Sequence, residues 1–208
     1  MKHHFFHYMD RVIQNRWNDV AFADYGENLQ YTHGEVAQQI ERFHKLFRQM
    51  GINEGDKIAI ASRNCSNWVV SYMAILSYKA VAVTLLQDFK ADDLARLIKH
   101  SDAKMLFVGP FVWRELQHQE LPVLEAIISM DDFSFIHLAE SHKGNVEQIM
   151  QEESTLSENT FFSLVKDGKI DLDSMALINY TSGSTGSPKG GMISQRSLSN
   201  NAENGQHI

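Results

Sequence analysis

The chain is predicted to be an α/β protein with a mostly parallel sheet flanked by helices, and three observations carry that expectation. From Lys57 to Val108 short apolar runs alternate with amphipathic stretches, the pattern of parallel strands joined by helical crossovers. Hydrophobic residues make up 43% of 208, enough for one sizeable core or two small ones and far from compositions that stay disordered. A third signal is the apolar run Met175 to Tyr180, a short buried strand, which feeds into a loop rich in glycine and hydroxyl groups.

In chain order, Met1 to His7 has no apolar core of signal-peptide length. His3, His4 and His7 sit where chains normally fray, with no carboxylate or thiolate spaced to complete a metal shell, and read as solvated. Val20–Tyr25 and Leu29–Tyr31 flank the turn-forming Gly26-Glu27-Asn28 and predict a hairpin. Thr32 and Glu35 have capping-box spacing, and Val36, Ile40, Phe43, Phe47 and Met50 continue at helical steps up to Gly51. Ile58–Ala61 then reads as a strand, Ser66 as the cap of a helix through Tyr78, and Val81–Leu85 as the next strand. Ala91–His100 reads as a helix with Asp92 and Asp93 in its first turn and His100 in its last, the polarity favoured by the helix dipole, and Met105–Val108 as a strand. A helix over Phe111–His118, strands over Val123–Ser129 and Phe135–Leu138, and a short helix around Phe161, Phe162, Leu164 and Val165 complete the pattern. No linker, repeat or low-complexity run divides the chain, so residues 1–208 are expected to be one domain.

Charge and cysteine content exclude some functions. A net charge of -7 argues against a nucleic-acid backbone as partner, because that binding relies on a basic face. A phosphate ligand must be held locally. With Cys65 as the single cysteine, no intrachain disulfide can form, and a reducing cytoplasm is the expected location, peripheral attachment to a membrane being left open. Asn64, Ser66 and Asn67 offer Cys65 no base, so it reads as a small buried hydrophobe. The most apolar stretch, Trp68 to Leu86, is broken by Ser71, Ser77, Lys79 and Thr84, which argues against a membrane span.

The chemistry gathers between Thr181 and Gly191, where four of the twelve glycines, five hydroxyl side chains and Lys189 fall together. Glycines allow backbone N–H groups to converge on an anion, the hydroxyls add donors, and a lysine is a mobile point charge suited to phosphate. The loop is expected to join strand to helix, with Ser194 as N-cap of a helix starting near Gln195. Pro188 stands where a Walker A motif needs glycine before the lysine, and neither GxGxxG nor GxSxG can be aligned. A flexible Ser/Gly linker is the bland alternative, but a linker has no need of a flanking strand, a Pro-Lys pair or a capped helix.

The string Tyr180-Thr181-Ser182-Gly183-Ser184-Thr185-Gly186-Ser187-Pro188-Lys189-Gly190 resembles the phosphate-binding signature of the adenylate-forming (AMP-binding) enzymes. Upstream, Gly51 to Ile60, Asn64, Trp68 and Ala80-Val81-Ala82-Val83 resemble the opening of a fatty-acyl-CoA synthetase. The chain departs from that pattern at Lys79, where glycine is usual, at Thr84, where proline is usual, at Gly191, commonly valine, and at Gln195, commonly histidine.

The resemblance implies the fold of the N-terminal subdomain of these enzymes and an AMP-forming acid–thiol ligase as parent. ATP, Mg2+ and coenzyme A would serve as co-substrates and a carboxylic acid, in the first place a long-chain fatty acid, as the group activated. On that reading Thr181, Ser182, Gly183, Ser184, Thr185 and Gly186 hold the ATP phosphates, and Lys189 binds them and acts in catalysis. The adenine, ribose and acyl pockets and a C-terminal lid domain would lie beyond residue 208, which implies a fragment that is inactive alone. Two alternatives stay open: an aryl- or amino-acid-adenylating enzyme, and a non-catalytic module that binds a phosphorylated ligand.

Overall fold

The computed structural model describes residues 4–26, 29–144, 146–151, 154, 156, 171–181 and 188–205. The short helix expected around Phe161 to Val165 lies outside them. Helix α1 (Phe5–Asn15) leads into the hairpin β1 (Val20–Ala23) and β2 (Gln30–Thr32), then α2 (His33–Gln49), β3 (Lys57–Ala61), α3 (Ser66–Ser77) and β4 (Val81–Leu85). There follow α4 (Ala91–His100), β5 (Ala103–Val108), α5 (Pro110–Leu116), β6 (Ala126–Ser129) and β7 (Phe135–Leu138). A 3-10 turn at Glu140–His142, α6 (Val146–Gln151), β8 (Met175–Thr181), β9 (Lys189–Ser194) and α7 (Gln195–Gly205) complete the described chain.

Seven strands form one sheet in the order β7-β6-β5-β3-β4-β8-β9. The pairs β3/β4, β3/β5, β4/β8 and β5/β6 are parallel, and only the two edge pairs, β6/β7 and β8/β9, are antiparallel. The expected α/β class with a mostly parallel sheet is therefore observed. Period-two alternation divides the strands between two cores. Ile58, Ile60, Met105 and Phe107 enter one core with α2 and α3, where Phe43 meets Phe107 and Phe133 edge to face at 5.2 and 4.8 Å. Ala59, Ala61, Leu106 and Val108 enter the other with Leu94, Leu97 and Ile98 of α4 and Val112 and Leu116 of α5. Both faces of the sheet are thus covered by helices.

The capping box forms as expected, Thr32 Oγ1 accepting from the Glu35 N–H at 3.2 Å and Glu35 Oε2 from the Thr32 N–H at 2.7 Å. Ser66 does not cap α3. The N-cap is Cys65, and Asp24 in the β1–β2 hairpin takes over that work, its Oδ1 accepting from both the backbone N–H and the hydroxyl of Ser66 at 2.8 Å. A tertiary contact has replaced the local one.

The N-terminus also departs from expectation. His4 is 7% exposed, accepts at Nδ1 from the Phe6 N–H as the N-cap of α1, and places Nε2 3.0 Å from Gln195 Oε1. Burial pushes its pKa below the usual histidine value. It is a structural residue, because Phe6 and Ile13 of α1 pack into the first core and draw it inward. His7 is exposed, as expected.

Lys79 has φ 65°, the left-handed conformation that suits glycine. The glycine of the resembled pattern would suit this backbone, so the departure at Lys79 is made at a cost in strain. Lys79→Gly is expected to stabilise the chain by about 0.5–1 kcal/mol, since the exposed ion pair with Glu54 at 3.8 Å contributes little. Urea unfolding of both proteins measures it, and a lower midpoint for the glycine variant would contradict the strain argument.

Candidate functional site

Strands β8 and β9 pair antiparallel with Tyr180 opposite Gly190 and Thr181 opposite Lys189. The two ends of the glycine-rich signature therefore face each other across a strand ladder, both exposed. This corrects the expected direct passage from strand to helix: Lys189, Gly190 and Gly191 lie in β9, and the helix begins only at Gln195. Two glycines and a lysine carry weak strand propensity, and pairing with β8 overrides it. Ser194 does cap α7, its Oγ accepting from the Ser197 N–H at 3.3 Å. Of the candidate phosphate ligands, the structure brings Thr181 and Lys189 together. Ser182, Gly183, Ser184, Thr185 and Gly186 lie outside the described residues.

Gly190 is required by a close approach: a Cβ there would sit 2.9 Å from Tyr180 Cε1. Gly191 faces no such limit, its nearest neighbour being Asn179 O at 3.8 Å, so the valine common in the resembled pattern would fit. Gln195 lies at the far end of β9 from Lys189, six strand residues or roughly 20 Å away, so the residue where histidine is common is remote from the signature.

Because β8 runs parallel to β4, its carboxyl end emerges beside the carboxyl ends of β4 and β3. There an open cleft of about 420 Å³ is lined by Arg63, Trp68, Tyr72, Thr84, Gln87 and Asn179 among others. Trp68 and Tyr72 stack with centroids 5.0 Å apart, and burial pushes the Tyr72 phenol up to about 12. Thr84 Oγ1 donates to Asn179 Oδ1 at 2.9 Å, a side-chain bond that a proline at position 84 would not make. Cys65 is half-buried and its thiol is pushed up, first by burial, which is the reverse of what an activated nucleophile needs. Among the described residues no group of three His, Cys, Asp or Glu could hold a metal ion, and no helix is long and apolar enough to cross a membrane.

Sequence reasoning missed two features of this region. Asn179 and Thr84 are 95 residues apart, and His100 Nδ1 lies 2.7 Å from the hydroxyl of Tyr180, 80 residues away. No local pattern encodes either pairing. Of the two adjacent glycines, Gly190 alone marks a close approach, that of the Tyr180 ring.

The sheet is buried on both faces, and its cleft and the described ends of the glycine-rich segment lie at the carboxyl ends of parallel strands, the edge at which open α/β sheets bind ligands. The family model of the AMP-binding enzymes matches residues 9–208, and the chain belongs to that family. It is similar to the putative acyl-CoA synthetase YngI of Bacillus subtilis, 26% identical over 205 residues that cover 89% of this chain and 36% of that protein. Long chain acyl-CoA synthetase 5 of Arabidopsis thaliana is 28% identical over 193 residues, covering 91% of this chain and 28% of that protein. Among solved structures, a benzoate CoA ligase from Burkholderia xenovorans superposes with a TM-score of 0.70 at 17% identity, covering 96% of this chain and 36% of that one. The chain spans about a third of the length of the curated relatives it matches.

Proposed function

We propose that residues 1–208 are a single domain, the N-terminal part of the adenylation region of an ATP-dependent carboxylate–CoA ligase, and that the segment between β8 and β9 grips the ATP phosphates. The observation that carries this reading is the register of Thr181 opposite Lys189, which sets both ends of the signature at the carboxyl edge beside the cleft. In the reaction a carboxylate oxygen attacks the α-phosphorus of ATP. The bond to the bridging oxygen breaks, and pyrophosphate leaves with the electron pair. The thiol of coenzyme A, losing its proton, then attacks the acyl carbonyl and AMP departs, leaving a thioester.

This chain's share lies in the first step. Backbone N–H groups and hydroxyls of Thr181, Ser182, Gly183, Ser184, Thr185 and Gly186 hold the β- and γ-phosphates, and Lys189 offsets the charge that builds on the leaving pyrophosphate. Donors fixed before the reaction stabilise such charge most effectively. Magnesium enters with ATP as its complex and screens the phosphates; none of the described residues is assigned to it. A long-chain fatty acid is the proposed substrate, supported by the resemblance of residues 51–83 and by the name of the Arabidopsis relative.

Pyrophosphate release by the full-length protein, assayed across fatty, aryl and amino acids with CoA, tests the reading. The fatty acids are expected to react and residues 1–208 alone are not, because a partial nucleotide site must order itself at the expense of binding. Turnover of aryl or amino acids alone would reassign the substrate. Micromolar ATP binding with adenylate formed by residues 1–208 would show a complete site within this chain.

A further inference from the structure

We propose that His100 is a positioning residue for ATP, acting through Tyr180 on both ends of the phosphate-gripping segment; the inference rests on the role given above to residues 181–189. His100 closes α4, and its Nδ1 lies 2.7 Å from the Tyr180 hydroxyl, with the two rings edge to face at 6.2 Å and 78°. Tyr180 is 3% exposed, so its hydroxyl needs a protein partner. Burial, with Asp102 adding to it, raises the phenol pKa and keeps it neutral. With the imidazole proton on Nε2, the hydroxyl donates to Nδ1.

The same tyrosine ring touches both roots of the segment. It is bonded through the backbone to Thr181, and its edge lies against Gly190, the residue after Lys189, so closely that a Cβ there would meet Cε1 at 2.9 Å. A shift of this ring therefore moves Thr181 and Lys189 relative to each other. The anchor itself is firm, because Leu94, Leu97 and Ile98 fix α4 in the second core. His100, by contrast, is exposed on the helix end and fills no core space. Its removal leaves the packing of α4 in place but strips the phenol of its partner. A phosphate cradle displaced by a fraction of an ångström binds its ligand less well, and this is the effect to look for.

In the full-length enzyme, ATP–pyrophosphate exchange should show the KM for ATP raised roughly three- to tenfold by His100→Leu, the range of one neutral hydrogen bond, and by Tyr180→Phe within the same range. The KM for the carboxylic acid should not change. His100→Asn, whose Oδ1 reaches about where Nδ1 stood, should restore most of the ATP affinity, and the double variant His100→Leu/Tyr180→Phe should be no worse than His100→Leu. A purely structural role would instead raise both KM values together with a fall in melting temperature, and that result overturns the proposal. So does an asparagine variant as impaired as the leucine one. Lys189→Ala is the control: if it weakens ATP use while both His100→Leu and Tyr180→Phe leave it untouched, the phosphate site stands and the positioning role falls. If none of the three has an effect, the phosphate role fails first and takes this inference with it.

Discussion

Lys189→Ala in the full-length enzyme is expected to slow adenylation roughly tenfold to a hundredfold, the loss of one charge-assisted contact of about 1.5–3 kcal/mol. The chain carries a net charge of -7, so its long-range field repels ATP and the attraction must come from cations placed at the site. Lys189 is the cation proposed for that role: it is exposed at the first position of β9, opposite Thr181 at the carboxyl end of β8. Since the side chain buries no apolar surface there, the substitution should leave the melting temperature nearly unchanged. Lys189→Arg keeps the charge but changes its geometry, and should recover part of the rate. Exchange of pyrophosphate into ATP measures the effect directly. An unmodified rate in the alanine variant would remove Lys189 from the phosphate site.

The sheet was legible because its strands are short, apolar and separated by capped helices. Thr32-His33-Gly34-Glu35 announced the start of α2, and the alternation from Lys57 to Val108 announced parallel strands buried on both faces. What local pattern misses is partnership across the fold. Phe5, Phe6, Met9 and Ile13 recur at helical steps and mark α1, yet a terminal position argues for fraying; Phe6 and Ile13 hold the helix in the first core, and its N-cap His4 lies 3.0 Å from Oε1 of Gln195, far along the chain. Ser66 had the residue type of a cap, while the oxygen that satisfies the helix belongs to Asp24. At the candidate segment the sequence did not show that Lys189, Gly190 and Gly191 pair as a strand, since two adjacent glycines look like loop until a neighbouring strand claims them. Lys79 shows the reverse. A departure from the resembled glycine at that position reported a real backbone constraint, and the φ of 65° locates it.

The stability of the chain is expected to fall as pH drops from about 6.5 toward 4, with His44 the main cause. His44 is 5% exposed on α2, and its Nε2 donates to Ala74 O at 3.1 Å and lies 2.9 Å from Ser77 Oγ. Burial, which penalises the charged imidazolium, lowers its pKa from 6.5 to about 4. Below 6.5 the unfolded chain therefore takes up a proton that the folded chain refuses, and stability is lost until the folded state also protonates near 4. A shift of that size is equivalent to about 3 kcal/mol, a large share of a typical domain's stability. His4 and His33, whose pKa values are also lowered, act in the same direction. Asp56 and Asp132 have lowered values too, but their contribution is lost only as pH falls below the ordinary aspartate value of 3.8, outside this window. His44→Gln separates the terms, because an amide nitrogen can still donate to Ala74 O but does not titrate. Urea midpoints measured from pH 7 to pH 4.5 should fall steeply for the parent chain and much less for the glutamine variant, so that any disadvantage of the variant at pH 7 narrows or reverses at pH 5. Parallel curves for the two proteins would show that His44 takes up its proton at the same pH in the folded and unfolded chain, so that its burial carries no pH-dependent cost.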